Sequence, residues 1–228
     1  MSWALVPAAG QGRRFGGEVP KQYLEVAGKP LIVHALDALL AHPGIEGAVV
    51  ALAADDPWWP GWTSLRGKPV RACTGGAERA DSVLAALRAL PDSVSGETFV
   101  LVHDAARPNL RAGDIDRLLA AATRHADGAI LAAPVRDTLK RADGDGRIEG
   151  TAPRERLWRA LTPQAFTRDL LQQALEAAQA DGASVTDEAM AVERLGRRPL
   201  LVEGREDNLK VTTPADLALA EFLLARAP

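Results

Sequence analysis

The chain is poor in the residues that staple or metallate a small fold. It has one cysteine, Cys73, and four histidines, His34, His42, His103 and His125. A single thiol excludes an intramolecular disulfide and a cysteine-rich metal site, and it fits a reducing compartment. The histidines lack the paired spacing of a zinc site, and no serine occupies a nucleophile-elbow motif. Charge of one sign is also missing: 27 Lys and Arg face 30 Asp and Glu, for a net charge of −3. That balance argues against a general nucleic-acid or membrane-surface binder but leaves room for a local basic pocket. No apolar run approaches the roughly 20 residues of a membrane-spanning helix. The N-terminus lacks the basic region and apolar run of a signal peptide. These absences point to a cytoplasmic chain that binds neither nucleic acid nor membrane. Across 228 residues, 47 % apolar and 25 % charged, the composition suits a single globular domain, 1–228.

What is present alternates. Short apolar runs, at Trp3–Val6, Gly47–Ala54, Val70–Cys73, Phe99–His103, Ala129–Ala133, Leu157–Leu161 and Leu200–Glu203, read as strands. Between them lie segments of helical period. In Pro30–His42 the residues Leu31, Ala35, Leu36, Leu39 and Leu40 share one face, and Ala80–Leu90 repeats the pattern. Asp114–His125 is helical with Asp114 placed to start it, and further helices are expected near Thr167–Ala180 and from Thr186–Asp187. Thr213 is a good N-cap, with Pro214 at the first position of a last helix. Alternation with few hairpin signals predicts an α/β fold: a mostly parallel, Rossmann-like central sheet with helices on both faces. Residues 135–157 break the rhythm with polar alternation around an Asp-Gly turn, and read as a projecting β-arm.

The chemistry clusters in four stretches. "PAAGQGRRFGGEVPK" (7–21) is a glycine-rich loop after the first strand. It fails the P-loop pattern because Gly16 and Gly17 lead to Glu18, and it fails the dinucleotide fingerprint at Phe15. What remains is exposed backbone at Ala8, Ala9 and Gly10, followed by Arg14 and Lys21, cations suited to phosphate. The alternative is a surface loop with solvated cations. "TGGAERADSV" (74–83) is a second glycine turn, carrying Arg79 and a Ser82 near a helix start, and a plain capped turn reads as well. "VHDAARP" (102–108) sets Asp104 beyond the end of a strand, where ligands of open α/β sheets bind. Asp104 there suits Mg²⁺ or a substrate hydroxyl; the alternative is a surface pair with Arg107. "EDNLKVT" (206–212) places Lys210 beside a late strand, where a single lysine in a loop is usually just solvated. The acidic pairs Asp114/Asp116 and Asp143/Asp145 resemble metal motifs but suit a helix start and a turn. Trp58, Trp59 and Trp62 of "WWPGW" suggest packing at the domain edge.

Taken in order, "VPAAGQGRRF…PKQY", "GGAERADSV", "VHDAARP", "VRDTLKR", "LTPQAF", "TDEAMAVE" and "VEGREDNLKVTTPADLALAE" resemble the 2-C-methyl-D-erythritol 4-phosphate cytidylyltransferase family of non-mevalonate isoprenoid biosynthesis. The opening motif is shared across nucleotidyltransferases, and the later ones narrow the match to this family and its pentitol-phosphate relatives. The resemblance implies a homodimer interlocked through the β-arm. It implies catalytic cations at Arg14, Lys21 and Lys210, and a cytidine pocket at Ala8, Ala9, Gly10, Gly76 and Ser82. Asp104 and Arg107 match acceptor-binding positions, and Thr138 and Arg154 match arm residues that reach the partner subunit's site. The substrates implied are CTP and 2-C-methyl-D-erythritol 4-phosphate, with Mg²⁺ held mostly through the CTP phosphates and Asp104 nearby.

The acceptor phosphate is already ionised near neutral pH, so this reaction needs neither a general base nor a covalent nucleophile. Positioning and electrostatic stabilisation of two polyanions should dominate. Two alternatives stay open: a ribitol-5-phosphate cytidylyltransferase, and a module that binds CTP without chemistry. Retention of Arg14, Lys21 and Lys210 argues against the second.

Overall fold

The structure, a computed structural model, describes residues 1–10 and 19–226. Arg14, with the rest of the glycine-rich segment at 11–18, lies outside the described residues.

The chain opens with β1 (Ser2–Pro7), a small hairpin of β2 (Glu25–Val26) and β3 (Lys29–Pro30), and α1 (Leu31–Ala41). Next come β4 (Ile45–Leu52), β5 (Ser64–Leu65), β6 (Lys68–Thr74), α2 (Arg79–Arg88), β7 (Phe99–Val102), α3 (Ala112–Ala122) and β8 (Ala129–Pro134). The arm strands are β9 (Leu139–Ala142) and β10 (Ile148–Ala152). The last third holds β11 (Trp158–Thr167), α4 (Arg168–Ala180), α5 (Glu188–Arg194), β12 (Leu200–Glu203) and α6 (Pro214–Leu224).

Eight strands form one sheet in the order β12-β8-β11-β7-β1-β4-β6-β5. β7, β1, β4 and β6 are parallel to one another, and β12 is parallel to β8. β11 runs antiparallel between β7 and β8, and β5 antiparallel to β6. The sheet is therefore mostly parallel.

Side chains alternate along each buried strand, so each strand feeds two cores. Ala4, Val6, Ala48, Val50, Leu101 and Leu131 pack with Ile32, Leu36 and Leu39 of α1 and with Ile115 and Leu118 of α3. On the other face Leu5, Val49, Val100 and Val102 pack with Val83 and Leu87 of α2, Leu171 and Leu175 of α4 and Val192 of α5. Full burial of a leucine such as Leu36 or Leu87 contributes roughly 1.5–3 kcal/mol, so neither layer is dispensable.

Two boundaries differ from the sequence reading. The strand expected at Leu157–Leu161 continues to Thr167, taking in the "TPQAF" motif. It contains a bulge: from Ala160 to Gln164 β11 advances four residues while β8 advances two. The short, interrupted apolar pattern of 157–161 concealed a strand that pairs on both sides. α3 starts at Ala112, not Asp114. Arg111 is its N-cap, and Asp114 sits inside the first turn with its carboxylate accepting from Arg117. Ser82 lies within the first turn of α2; Glu78 is the N-cap, and its N–H donates to Asp81 Oδ2.

β9 and β10 pair with each other in a two-stranded sheet of their own. The hairpin is largely exposed, Ile148 at its tip by 68 %. The tryptophan patch packs at the edge of the domain. Trp59 and Trp62 meet edge to face at 5.1 Å, while Trp58 stacks on Tyr23 at 6.3 Å.

Candidate active site

Parallel strands end at one edge of a sheet, and there the order changes direction around β1, with β4 on one side and β7 on the other. Ligand crevices form at such points. The backbone just past three strand ends continues the ladder: Ala8 N donates to Ala51 O, Gly75 N to Leu52 O and His103 N to Leu5 O, at 2.7, 2.7 and 2.9 Å. These bonds fix the start of each loop that carries a sequence motif.

A cleft of about 320 Å³ opens there, walled by Ala8, Ala9, Gly10, Lys21, Gln22, Gly76, Ser82, Asp104 and Lys210 among others. Every nucleotide-pocket residue expected from the sequence lines it. Gly75 and Gly76 are required by close approach. A Cβ on Gly75 would lie 2.7 Å from that of Ala9, and one on Gly76 would lie 2.2 Å from that of Asp81. Ser82 Oγ accepts from Gly76 N and donates to Glu78 O, both at 3.2 Å, so it shapes the turn from within. Gln22 is buried and donates to Ala8 O at 2.7 Å, tying the Lys21 turn to the end of β1. Lys21 thus faces the cleft.

A second cleft of about 190 Å³ adjoins the first. It is walled by Arg79, Asp104, Arg107, Thr162, Gln164, Thr186 and Lys210 among others. Arg79, Asp104 and Lys210 belong to both walls.

Asp104 is the centre of this junction. It is 7 % exposed, and Arg79 Nε (3.1 Å), Lys210 Nζ (2.9 Å) and Arg107 Nε (3.5 Å) surround its carboxylate. Burial alone would raise its pKa, but Arg79, Lys210 and Arg107 outweigh burial and hold it well below the usual carboxylate range. The pair with Arg107 is therefore no surface ion pair, since Arg107 is 8 % exposed. Lys210 is not merely solvated either. Its loop is laced to that of Asp104 by Val211 N to Ala106 O (2.9 Å) and by Arg107 Nη1 to Asn208 O (2.7 Å). Asn208, fully buried, also donates from Nδ2 to Thr162 O at 2.7 Å.

The bulge in β11 aims Thr162 into this junction, a common use of bulges beside active sites. Asp104 N donates to Thr162 Oγ1 at 3.1 Å, and Thr162 Oγ1 lies 2.9 Å from His103 Nδ1. His103 Nε2 is 3.1 Å from Arg107 O, an acceptor only, so Nε2 carries the proton and Nδ1 accepts from the threonine. Burial pushes His103 down to about 4 against the pull of Asp104, so it is neutral at pH 7.

Thr138 and Arg154 stand on the arm, exposed and outside both clefts, with Arg154 donating to Arg136 O. Arg79, Gln22, Thr162, Gln164, Glu188 and Asn208 contribute to the site although no role was read for them from the sequence. Arg79 was visible as one more cation. Thr162, Gln164 and Glu188 stood within the "LTPQAF" and "TDEAMAVE" motifs, but nothing local to those motifs reveals that they converge on Asp104.

Comparison with known proteins agrees with this geometry. The family model for IspD, 2-C-methyl-D-erythritol 4-phosphate cytidylyltransferase, matches residues 2–226. The chain is 67 % identical over 223 residues to the enzyme of that name from Xanthomonas campestris pv. campestris (strain 8004), covering 98 % of this chain and 84 % of that one. It is 63 % identical over 224 residues to that of Stenotrophomonas maltophilia (strain K279a), covering 98 % and 97 %. The crystal structure of 2-C-methyl-D-erythritol 4-phosphate cytidylyltransferase from Thermus thermophilus superposes with a TM-score of 0.80 at 36 % identity, covering all of both chains. With the motifs in order along the chain, and the loops of Ala8–Gly10, Gly75–Ser82, Asp104 and Lys210 gathered at one sheet edge, the chain belongs to the 2-C-methyl-D-erythritol 4-phosphate cytidylyltransferase family.

Proposed function

We propose that the chain performs its family's reaction at the junction of the two clefts, with the nucleotide in the larger and the sugar phosphate in the smaller. As a member of this family it is a cytidylyltransferase of isoprenoid biosynthesis, using CTP and 2-C-methyl-D-erythritol 4-phosphate. A phosphate oxygen of the acceptor forms a bond to the α-phosphorus of CTP. The bond from that phosphorus to the bridging oxygen breaks, and pyrophosphate leaves with the electron pair. The observation that carries this reading is the sharing of Arg79, Asp104 and Lys210 by both clefts. Two anions bound on either side would meet at one cationic point.

In this reading the backbone of Ala8, Ala9, Gly10 and Gly76, with Ser82 behind it, reads the cytosine and ribose. Lys21, Lys210 and Arg14 bind the phosphates and stabilise the charge that develops in transfer. Cations held in place at a partly water-excluded junction need no reorganisation when that charge appears. Asp104 accepts from acceptor hydroxyls while Arg107 and Lys210 hold its phosphate. Asp104 also keeps three like charges together in the free protein, so the cations are already assembled when substrate arrives.

Mg²⁺ is proposed as the cofactor. Asp104 is the carboxylate suited to approach it, and three of the roughly four lone-pair directions of a carboxylate are taken by Arg79, Lys210 and Arg107. The one remaining direction serves either an acceptor hydroxyl or the ion, so Mg²⁺ would be held mostly through the CTP phosphates, with Asp104 nearby. Among the described residues no group of three His, Cys, Asp or Glu could hold it alone. When bound, Mg²⁺ would supply neutralisation of the triphosphate.

A homodimer is proposed through the arm. Support comes from apolar side chains exposed on the arm, at the start of β11 and on the edge strand β12, Ile148, Leu157, Trp158 and Leu201, and from Thr138 and Arg154 having no place in the chain's own clefts. A cytoplasmic location is proposed from the single-cysteine composition; separately, no described helix is long and apolar enough to cross a membrane.

The test is pyrophosphate release from CTP with 2-C-methyl-D-erythritol 4-phosphate and ribitol 5-phosphate in parallel. Faster turnover with the methylerythritol phosphate is expected. Faster turnover with ribitol phosphate, or CTP binding without release for either, would overturn the reading.

A further inference from the structure

One buried charged group has no part in the chemistry above. Glu188, the first residue of α5, is 1 % exposed, and it lines neither cleft. It cannot touch either substrate. Its carboxylate accepts two bonds from Arg79, Nη1 to Oε1 at 2.5 Å and Nη2 to Oε2 at 3.0 Å. The third arm of the same guanidinium, Nε, donates to Asp104 Oδ1 at 3.1 Å. The planar fork of arginine makes these bonds interdependent: with both terminal nitrogens pinned on Glu188, Nε has one direction left.

Glu188 is itself held. Gln164 Oε1 accepts from Ala189 N, and Gln164 Nε2 donates to Asp187 Oδ2, both at 2.9 Å. Asp187 caps α5 by accepting from Met190 N at 3.0 Å. Gln164 follows Thr162 in β11 by two residues, so the strand that supports the Asp104 backbone also fixes the start of α5. Packing alone does not account for a carboxylate here. Taking a charge out of water is costly, and an apolar pair of similar volume is often as stable.

We propose that Glu188 is a positioning residue for the reaction: acting through Arg79, it aims Asp104 at the junction of the two clefts. The inference rests on Asp104 serving the acceptor side, as proposed above. Its consequence is asymmetric. Loss of the Glu188 charge frees Arg79 and loosens Asp104, which weakens acceptor placement. It also removes one negative charge from behind a cationic cleft, which does not weaken attraction of CTP.

Steady-state kinetics of Glu188→Gln, Asp104→Asn and the double variant in the full chain test this. For Glu188→Gln the KM for 2-C-methyl-D-erythritol 4-phosphate should rise and kcat fall, each by roughly 10-fold, as small misplacements of reacting groups do. The KM for CTP should be unchanged or lower. Glu188→Asp should recover part of the loss, and in the Asp104→Asn background Glu188→Gln should add little. A rise in both KM values, or full additivity in the double variant, overturns the proposal and leaves a purely structural role. Where Glu188→Gln does not fold, Glu188→Asp, which keeps the charge and shortens the reach to Arg79, must show the same split in smaller measure. If Asp104→Asn leaves the acceptor KM unchanged, the acceptor assignment falls and the inference with it. An Asp104 effect that does not depend on Glu188 overturns the inference alone.

Discussion

His103 gives the sharpest quantitative test of the site's construction. It is fully buried between Thr162 Oγ1 and Arg107 O, and both contacts suit the neutral ring with its proton on Nε2. Burial lowers its pKa from 6.5 to about 4. The folded pKa lies below the unfolded one, so the unfolded chain binds a proton first as pH falls. The histidine's contribution is then fully present above about pH 6.5 and is lost as pH drops toward 4. Linkage at about 1.4 kcal/mol per unit gives a loss of roughly 2 kcal/mol from this one group between pH 7.5 and 5. The assay is urea unfolding at fixed protein concentration at both pH values, for the wild type and for His103→Asn. Subtraction removes the titration of other groups, and the wild type should lose roughly 2 kcal/mol more than the variant. A ring proton titration by NMR should place His103 well below the ordinary histidine value of 6.5. If His103 titrates near 6.5 in the folded protein, or the two proteins show equal pH slopes, the neutral relay supporting Asp104 is wrong.

Other outcomes follow from the proposed roles and the geometry. Lys21→Ala, Lys210→Ala and Arg14→Ala should each lower kcat by about 10²-fold or more, as loss of a transition-state donor does; an effect confined to KM would remove them from the chemistry. Gly76→Ala should raise the KM for CTP while sparing acceptor binding, because its Cβ would collide with Asp81; unchanged CTP affinity would show that the turn yields. If Arg154 acts across a dimer, verified heterodimers of inactive Arg154→Ala and inactive Lys21→Ala subunits should regain activity, and none would be regained if each site is self-contained. Thr213 accepts from Asp216 N at the start of α6, and Thr213→Ala should cost about 1 kcal/mol of stability, read by denaturant unfolding, with kcat unaltered.

Much of this protein is readable in one dimension because the signals are local. The alternation of apolar runs with helical periods decides an α/β sheet covered on both faces, since a strand buried on both sides must be apolar at nearly every position. Glycines at 75 and 76 and small residues at 8 and 9 mark where backbones approach closely. The polar hairpin at 135–157 could not have been core. The whole set of motifs in order suffices for the family.

What the sequence left open depends on contacts between distant residues. Asp104 and Lys210 are 106 positions apart, and Arg79 and Glu188 are 109 apart; no local pattern marks either pair. Read alone, Lys210 is a solvated lysine, and Glu188 carries no role. The bulge that turns Thr162 toward Asp104 exists only in the mismatch between β11 and β8. The charge state of the junction is likewise a property of the fold: burial pushes the Asp104 pKa up, and Arg79 from the start of α2, Lys210 from a late loop and Arg107 from Asp104's own loop outweigh it. Local chemistry determined the elements and the family, while the three-dimensional meeting of opposite charges, removed from water together, decided which residues form the site.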